Sequence, residues 1–381
     1  MKESELPTPC YLVDEGAIIS NLEILRALRE DTHCKILLAQ KAFSLYALYP
    51  LISRYIDGVC ASGLYEARLG AEEMRAQTHV FCAAYAPRDI PELAKICSHI
   101  VFNSMTQAER FHREASAHWA SLGLRINPQF STQTGHAIYD PCSKGSRLGI
   151  TAANFPETLP DWIEGLHFHT LCEQNSDDLE ATLCAVEEKF GKHLKRIKWI
   201  NFGGGHHITR ADYDIARLKR CINKMADKYG LGVYLEPGEA VALNAGELIS
   251  EVLDIVENDG KIALLDASAA CHMPDVIEMP YTPPLAGAGK PGEKKFDYTL
   301  AGATCLAGDV IGKYSFNAPL KIGDRVKFQD MAIYSFVKNN TFNGMPLPAL
   351  AVKDKVGDCR IIKKFGYEDF KGRLGHRRKS E

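Results

Sequence analysis

Between residues 35 and 238, short runs of apolar and β-branched residues alternate with longer stretches whose apolar positions recur at helical spacing. That alternation predicts repeated strand-helix units. The candidate strands are "KILLAQ" (35–40), "GVCAS" (58–62), "THVFCAA" (78–84), "HIVFNS" (99–104), "LGLRIN" (122–127), "IEGLHFHT" (163–170), "IKWINFG" (197–203) and "VYLEPG" (233–238). Amphipathic stretches such as "DDLEATLCAVEEKFGKHL" and "DYDIARLKRCINKMADKYG" separate them, the second ending in a Tyr-Gly suited to a helix C-cap. Eight such units predict a (β/α)8 barrel, which takes about 250 residues.

After residue 245 the pattern changes to strand-like alternation, in "GELISEVLDIVEN", "KIALLDAS", "DYTLAGATC" and "DRVKFQDMAIYSFV", without a comparable amphipathic helix. The fold class expected is therefore α/β plus β. A barrel spans 15–245, and residues 1–14 with 246–381 form a mainly β domain, completed by the N-terminal "TPCYLVDEG" and carrying an exposed loop, "PPLAGAGKPGEKK".

Composition narrows the function. A chain of 381 residues, 46% hydrophobic, is ample for a packed core, and a net charge of -3 with scattered Lys and Arg offers no basic stripe for nucleic acid. A small-molecule partner is expected. No signal-peptide core and no run near the ~20 apolar residues of a membrane helix is present, so the expected location is the cytoplasm. The twelve cysteines are single, without a CxxC pair, which suits reduced thiols. The basic, polar end "GYEDFKGRLGHRRKSE" reads as a solvated tail.

In a barrel of this kind the chemistry sits at the C-terminal ends of the strands. Lys41 follows the first strand, His169 ends the sixth, Gly203, Gly204 and Gly205 end the seventh, and Glu236 ends the eighth. Burial of Lys41 would lower its pKa and leave a nucleophilic amine, against the alternative of an ion-paired lysine. The triple glycine in "NFGGGHH" would let backbone N–H groups approach a phosphate, or simply form a tight turn. His167 and His169 share a strand face and would either bind a metal, as in hydrolases, or divide into a core histidine and one stacked on an aromatic cofactor. The second reading fits better, and no metal is expected. A phosphate cradle, a Schiff-base lysine, a flat ring and a carboxylate opposite a pyridine nitrogen together describe a pyridoxal phosphate pocket. The segment "LEPGEAV" poses one further question, because it sets Glu239 three residues from Glu236, and like charges this close repel.

With these residues in place, the sequence resembles the barrel-fold pyridoxal phosphate decarboxylases that include the ornithine, arginine and diaminopimelate decarboxylases. The resemblance runs through "LLAQKAF", "CASGLYEA", "SRLGI", "LHFHTLCE", "NFGGGHH", "EPG", "ATCLAGD" and "DMAIYSFVKNNTFNG", in that order and over nearly the whole chain. It implies that Lys41 holds pyridoxal phosphate covalently, that His169 stacks on its ring and that Gly203, Gly204, Gly205 and Tyr334 bind its phosphate. It also implies that Cys305 protonates the carbon that loses carbon dioxide, and that this cysteine comes from the other subunit of a homodimer.

Two positions depart from the pattern. Glu239 stands where relatives carry Arg after Glu-Pro-Gly, and Leu306 stands where ornithine and lysine decarboxylases carry Asp after the cysteine. Together with "CHMPD" and "TCLAGDVIG", they resemble the branch of the family that decarboxylates carboxylated polyamines. Such substrates carry several ammonium groups. Glu239 and Asp275 are therefore expected to bind the chain, with Arg147 and Asp309 as further substrate contacts. The rivals are an ordinary diaminopimelate or ornithine decarboxylase, a non-catalytic pyridoxal phosphate carrier and a metal-dependent hydrolase.

Overall fold

The computed structural model describes residues 1–133 and 137–375, and the chain divides into two compact units. Residues Ile19–Val241 form one; residues up to Ile18 and from Ala242 onward form the other.

The first strand, β1 (Cys10–Asp14), belongs to the second unit, and a helix, Glu15–Thr32, follows it. The first unit then lays down β2 (Lys35–Ala39), β3 (Gly58–Ala61), β4 (Gln77–Phe81), β5 (His99–Phe102), β6 (Ser121–Asn127), a two-residue β7 (Ile150–Thr151), β8 (Gly165–His167), β9 (Trp199–Asn201) and β10 (Gly232–Leu235). Apart from β7, an appendage of β6, these strands pair in parallel around a closed ring in the order β2, β3, β4, β5, β6, β8, β9, β10 and back to β2. All eight expected strands are therefore present, each within a few residues of its sequence position. They are apolar because the ring and its outer helices bury them on both faces, as Ile36, Leu37 and Leu38 show with no solvent exposure. The two amphipathic stretches form helices Ser176–Leu194 and Ile215–Tyr229, the latter ending at Gly230 in the left-handed conformation (φ 71°).

One end of the barrel interior is plugged by aromatic rings. His79 stacks on His99 with ring centres 3.8 Å apart, and Trp199 and Tyr234 pack against the pair. The Trp199 indole lies over Gly165 so closely that a Cβ there would come within 2.0 Å of it, which is why the strand carries glycine at that point.

The second unit is an eight-stranded sheet. It contains β1, β11 (Gly246–Glu257), β12 (Lys261–Leu265), β13 (Phe296–Gly302), β14 (Val310–Phe316), β15 (Arg325–Gln329), β16 (Ala349–Lys353) and β17 (Cys359–Lys363), in the order β14, β13, β12, β11, β1, β16, β17, with β15 on β11. The N-terminal strand does complete this sheet, running antiparallel to β11 and parallel to β16. Its period-two alternation sends Tyr11 into a core with Leu248, Leu265, Leu300 and Phe328, and Cys10 and Leu12 into a second core with Ile249 and Ala351.

Two expectations are corrected. The segment "MAIYSFV" is not a strand: after β15 the backbone turns left-handed at Asp330 and Tyr334 and enters a short helix, Ser335–Lys338. Its apolar residues, Met331 and Ala332 among them, are apolar because they are buried, and periodicity over so few residues does not separate the two cases. The loop "PPLAGAGKPGEKK" is only partly exposed, since Leu285 enters the core and the backbone of Pro284, Ala286 and Gly289 bonds to Gln329, Lys327 and Ser315. The tail also has structure: Tyr367–Arg373 is helical, while residues 376–381 lie outside the described residues.

Candidate active site

At the C-terminal ends of the barrel strands, Lys41, His169, Gly203 to Gly205, Glu236 and Glu239 meet at one mouth. Glu236 stands one residue beyond β10 and is 8% exposed. Its two carboxylate oxygens accept hydrogen bonds from Asn201 Nδ2 at 2.7 Å and from His167 Nε2 at 3.3 Å. Burial pushes its pKa up, but His167, Asn201 and the nearby Lys41 outweigh that effect and hold it below the usual carboxylate range. His167 is held neutral by burial, despite the pull of Glu236, and its Nε2–H is the donor. His167 is thus more than core filler: it keeps a buried anion in place.

His169 is also neutral. Burial, then the charges of Lys41 and Arg125, push its pKa well below the ordinary histidine value. The backbone agrees, because His169 Nδ1 accepts the Gly204 N–H at 2.8 Å and must be unprotonated to do so. The triple glycine serves this packing first. Gly203 and Gly205 adopt φ of 71° and 81°, and a Cβ on Gly205 would lie 1.9 Å from the Leu171 carbonyl. The Gly203 N–H donates to Asn201 Oδ1 at 2.8 Å, so two of the three glycine N–H groups expected to cradle phosphate bond within the chain.

Lys41 is exposed rather than buried, because it lies two residues past the end of β2 where the barrel interior opens to solvent. It nevertheless stands close enough to Glu236 and His169 to act on both electrostatically.

The two acids of "LEPGEAV" are separated by their partners. Glu236 is held by Asn201 and His167, whereas Glu239 takes its hydrogen bond from His207 Nε2, at 2.5 Å. Each carboxylate has its own imidazole, which relieves the repulsion within the chain itself. Glu173, at the end of "LHFHTLCE", joins them: oxygen and nitrogen atoms of Glu173, His207 and Glu239 lie within 4.8 Å of one another. Among the described residues this is the one group spaced for a metal ion, and it includes neither His167 nor His169.

Sequence reasoning missed Arg125, Asn201, His207 and Glu173. Arg125 is a guanidinium buried in β6, 4.5 Å from the Phe81 ring centre and donating to the His169 carbonyl at 3.1 Å. Burial lowers its pKa to about 10, so it keeps its charge at neutral pH. A signal was available for two of them, because Arg125 interrupts the apolar run of β6 and Asn201 ends that of β9.

The remaining candidates divide between the units. Arg147 is in the barrel unit, exposed, with its carbonyl accepting from Asn103 Nδ2 at 2.8 Å. Cys305, Tyr334, Asp275 and Asp309 belong to the sheet unit. Cys305 is exposed on the turn between β13 and β14. Tyr334 has φ 56° and the Lys338 ammonium 5.9 Å above its ring. Asp275 is not an unpaired acid, since it is ion-paired to Lys338, which also reaches Glu278. Asp309 is buried, and its carboxylate is engaged by Ser268, Thr304 and the Ala270 N–H.

These residues fit pyridoxal phosphate by their own chemistry. A solvent-facing amine, a neutral flat ring and a buried carboxylate kept ionised by two donors gather at one mouth, and an anion kept so at the cost of burial calls for a cation opposite it.

The comparisons with known proteins point the same way. Residues 10–332 match the family model for the pyridoxal-dependent decarboxylases, described by its C-terminal sheet domain. The carboxynorspermidine/carboxyspermidine decarboxylase of Campylobacter jejuni is 43% identical over 96% of this chain and 98% of its own. The carboxyaminopropylagmatine decarboxylase of Synechocystis is 40% identical over 98% and 96%. Among solved structures, Campylobacter jejuni carboxynorspermidine decarboxylase complexed with norspermidine superposes with a TM-score of 0.90, at 42% identity over 97% of this chain and 100% of that one. Helicobacter pylori diaminopimelate decarboxylase, 16% identical with a TM-score of 0.81 and 97% of each chain covered, shares the fold. A closed eight-stranded parallel barrel, a sheet unit that takes in the chain's first strand, and a mouth built around Lys41 and Glu236 therefore belong to a member of the pyridoxal-dependent decarboxylase family, an enzyme that works with pyridoxal phosphate.

Proposed function

We propose that this enzyme removes the α-carboxylate of a carboxylated polyamine, carboxynorspermidine or carboxyspermidine, releasing norspermidine or spermidine for polyamine biosynthesis. The observation that carries the reading is the acid pair Glu239 and Glu173 at the mouth, beside the cofactor residues. A substrate with several ammonium groups needs anions along its chain, and an arginine in place of Glu239 would repel it. The names of the close relatives support the same substrate class.

In this reading Lys41 holds pyridoxal phosphate covalently and the neutral His169 ring lies against its face. The Gly205 N–H and the Tyr334 hydroxyl bind its phosphate, and Glu236 faces its ring nitrogen. Pyridoxal phosphate held by these residues would supply the electron sink that loss of carbon dioxide requires. Glu236 stays ionised throughout, because Asn201 and His167 donate to it and exclude a proton. Arg125 fixes the backbone of His169, which keeps the ring in place. Cys305 delivers a proton from Sγ to the α-carbon, and Glu239 and Glu173 hold the distal ammonium groups. Arg147 and Asp275 are further substrate contacts in this reading. Cys305 serves the partner's site in a homodimer, and in this reading the enzyme works in the cytoplasm. Separately, no helix among the described residues is long and apolar enough to cross a membrane.

The test is carbon dioxide release by cofactor-loaded enzyme offered carboxynorspermidine, carboxyspermidine, carboxyaminopropylagmatine, ornithine and diaminopimelate in parallel. Turnover confined to the first two supports the proposal. Preference for the agmatine derivative would mean that the acid pair binds a guanidinium, and preference for ornithine or diaminopimelate would overturn the assignment of Glu239.

A further inference from the structure

We infer that Asn343 is a positioning residue for the Cys305 thiol, acting through a single hydrogen bond to the backbone of the turn that carries it. The inference rests on the proposed role of Cys305. That cysteine is exposed, and an exposed turn left to itself samples many conformations. Here it is clasped. The Cys305 N–H donates to Asn343 Oδ1 at 2.7 Å. Next to it, Thr304 Oγ1 donates to Asp309 at 2.6 Å, and Asp309 also accepts from Ser268 Oγ and the Ala270 N–H.

The Asn343 loop is itself anchored. Asn340 accepts the Phe342 N–H at 2.9 Å and donates through Nδ2 to the Ala270 carbonyl at 2.8 Å. Arg373, in the C-terminal helix, donates to Thr341 Oγ1 at 2.7 Å. Asp309 and Asn340 therefore hold the same short helix, Ala269–His272, from two directions, and Cys305 is suspended between them. The residue type at 343 follows from two demands. Its φ is 55°, a left-handed conformation open mainly to Gly, Asn and Asp, and of these only Asn and Asp bring a side-chain acceptor.

The step that needs this precision is the proton delivery. The bond from the α-carbon to the carboxylate breaks and carbon dioxide leaves. The Cys305 S–H bond then breaks, its proton goes to the α-carbon, and the thiolate takes a proton from water. Delivery to one face of the α-carbon requires the sulfur to be held, and a displacement of about 1 Å costs up to ~10²-fold.

The experiment uses full-length cofactor-loaded enzyme in deuterium oxide, where the carbon that loses carbon dioxide gains one deuterium of fixed configuration. It compares Asn343→Gly, Asn343→Ala and Asn343→Asp for configuration, for kcat against KM, and for amide hydrogen exchange in the peptide spanning 303–309. Glycine satisfies the left-handed backbone but removes the acceptor. The expected result is that Gly and Ala lose configurational purity, exchange the Cys305 amide faster and drop kcat about tenfold at unchanged KM, while Asp retains all three. If Asn343→Gly matches the unaltered enzyme in exchange and configuration, Asn343 only shapes the turn and the inference is overturned. Unchanged configuration in Cys305→Ala would remove the thiol as donor, and that failure is distinct because the exchange result does not depend on it.

Discussion

The Nδ2 of Asn201 lies 2.7 Å from Oε1 of Glu236, joining the last residue of β9 to the residue just past β10 across the barrel mouth. This bond and the one from His167 keep Glu236 ionised against the cost of burial. Its pKa is depressed, so the anion persists down to an acidity at which an ordinary glutamate would be protonated. Asn201→Ala removes one donor and lets that pKa rise, so the acid limb of kcat moves to higher pH. A pH profile of carbon dioxide release checks this, and an unmoved acid limb would count against Glu236 as the working anion. Glu236→Gln, which keeps the shape without the charge, should lower kcat by roughly 10²-fold or more while Lys41 still yields a borohydride-trapped cofactor adduct.

Glu187 ties two outer helices of the barrel together. Its carboxylate meets Lys224 and Lys228, at 2.5 and 2.7 Å, and the Tyr229 hydroxyl at 2.9 Å. Burial opposes the charge, but these three donors hold its pKa at about 2 rather than 4.5. The sign comes from the depression: the contribution to stability is full above about pH 4.5 and is lost as the pH falls toward 2. Glu187→Gln should therefore cost about 1 kcal/mol at pH 7 and progressively less in acid. Urea unfolding at pH 7 and pH 3 measures both values, and equal costs at the two pH values would contradict the assignment.

The barrel was legible because its strands are buried on both faces and its helices on one, so sequence periodicity follows burial directly. Lys41, His169 and Glu236 were legible for a related reason, since a polar residue at the end of an apolar run marks a barrel mouth. The supporting layer escaped. Arg125 lies inside a strand, where a lone polar residue reads as an exception, and Asn201 closes a strand of only three residues; their partners are 44 and 35 residues away in sequence. The glycine run was legible as a close approach but not as to what, and here much of that approach is to the His169–Leu171 backbone. The segment after β15 was misread because a buried irregular stretch is as apolar as a strand.

Glu239 offers a test of substrate choice that leaves the cofactor residues intact. Its hydrogen bond with His207 survives in Glu239→Gln, because the amide oxygen still accepts. Only the charge is removed. KM for carboxynorspermidine should rise about tenfold with a smaller change in kcat, since the lost interaction holds the distal ammonium in the ground state and the transition state alike. Glu239→Arg should raise KM further. A kcat loss at constant KM would instead place Glu239 at the reacting carbon.

The stacked imidazoles at the plugged end of the barrel should make the fold sensitive to mild acid. His99 lies 3.8 Å from His79, with Trp199 and Tyr234 around it, and burial lowers its pKa to about 4 although Glu164 pulls the other way. An unfolded histidine titrates near 6.5. Between about pH 6.5 and 4 the unfolded chain therefore binds a proton that the folded chain refuses, and stability falls as the pH falls through that window. Above it the effect is absent. His99→Phe keeps a ring against Trp199 and removes the titration, so the variant should lose less stability than the parent between pH 7 and pH 5, by roughly 1 to 2 kcal/mol given partial solvent access. Urea midpoints at the two pH values, at unchanged m, report the difference directly. Parallel pH dependence in parent and variant would place the acid sensitivity elsewhere, with His79 the next residue to replace because its pKa is also driven down by burial, inside the same stack.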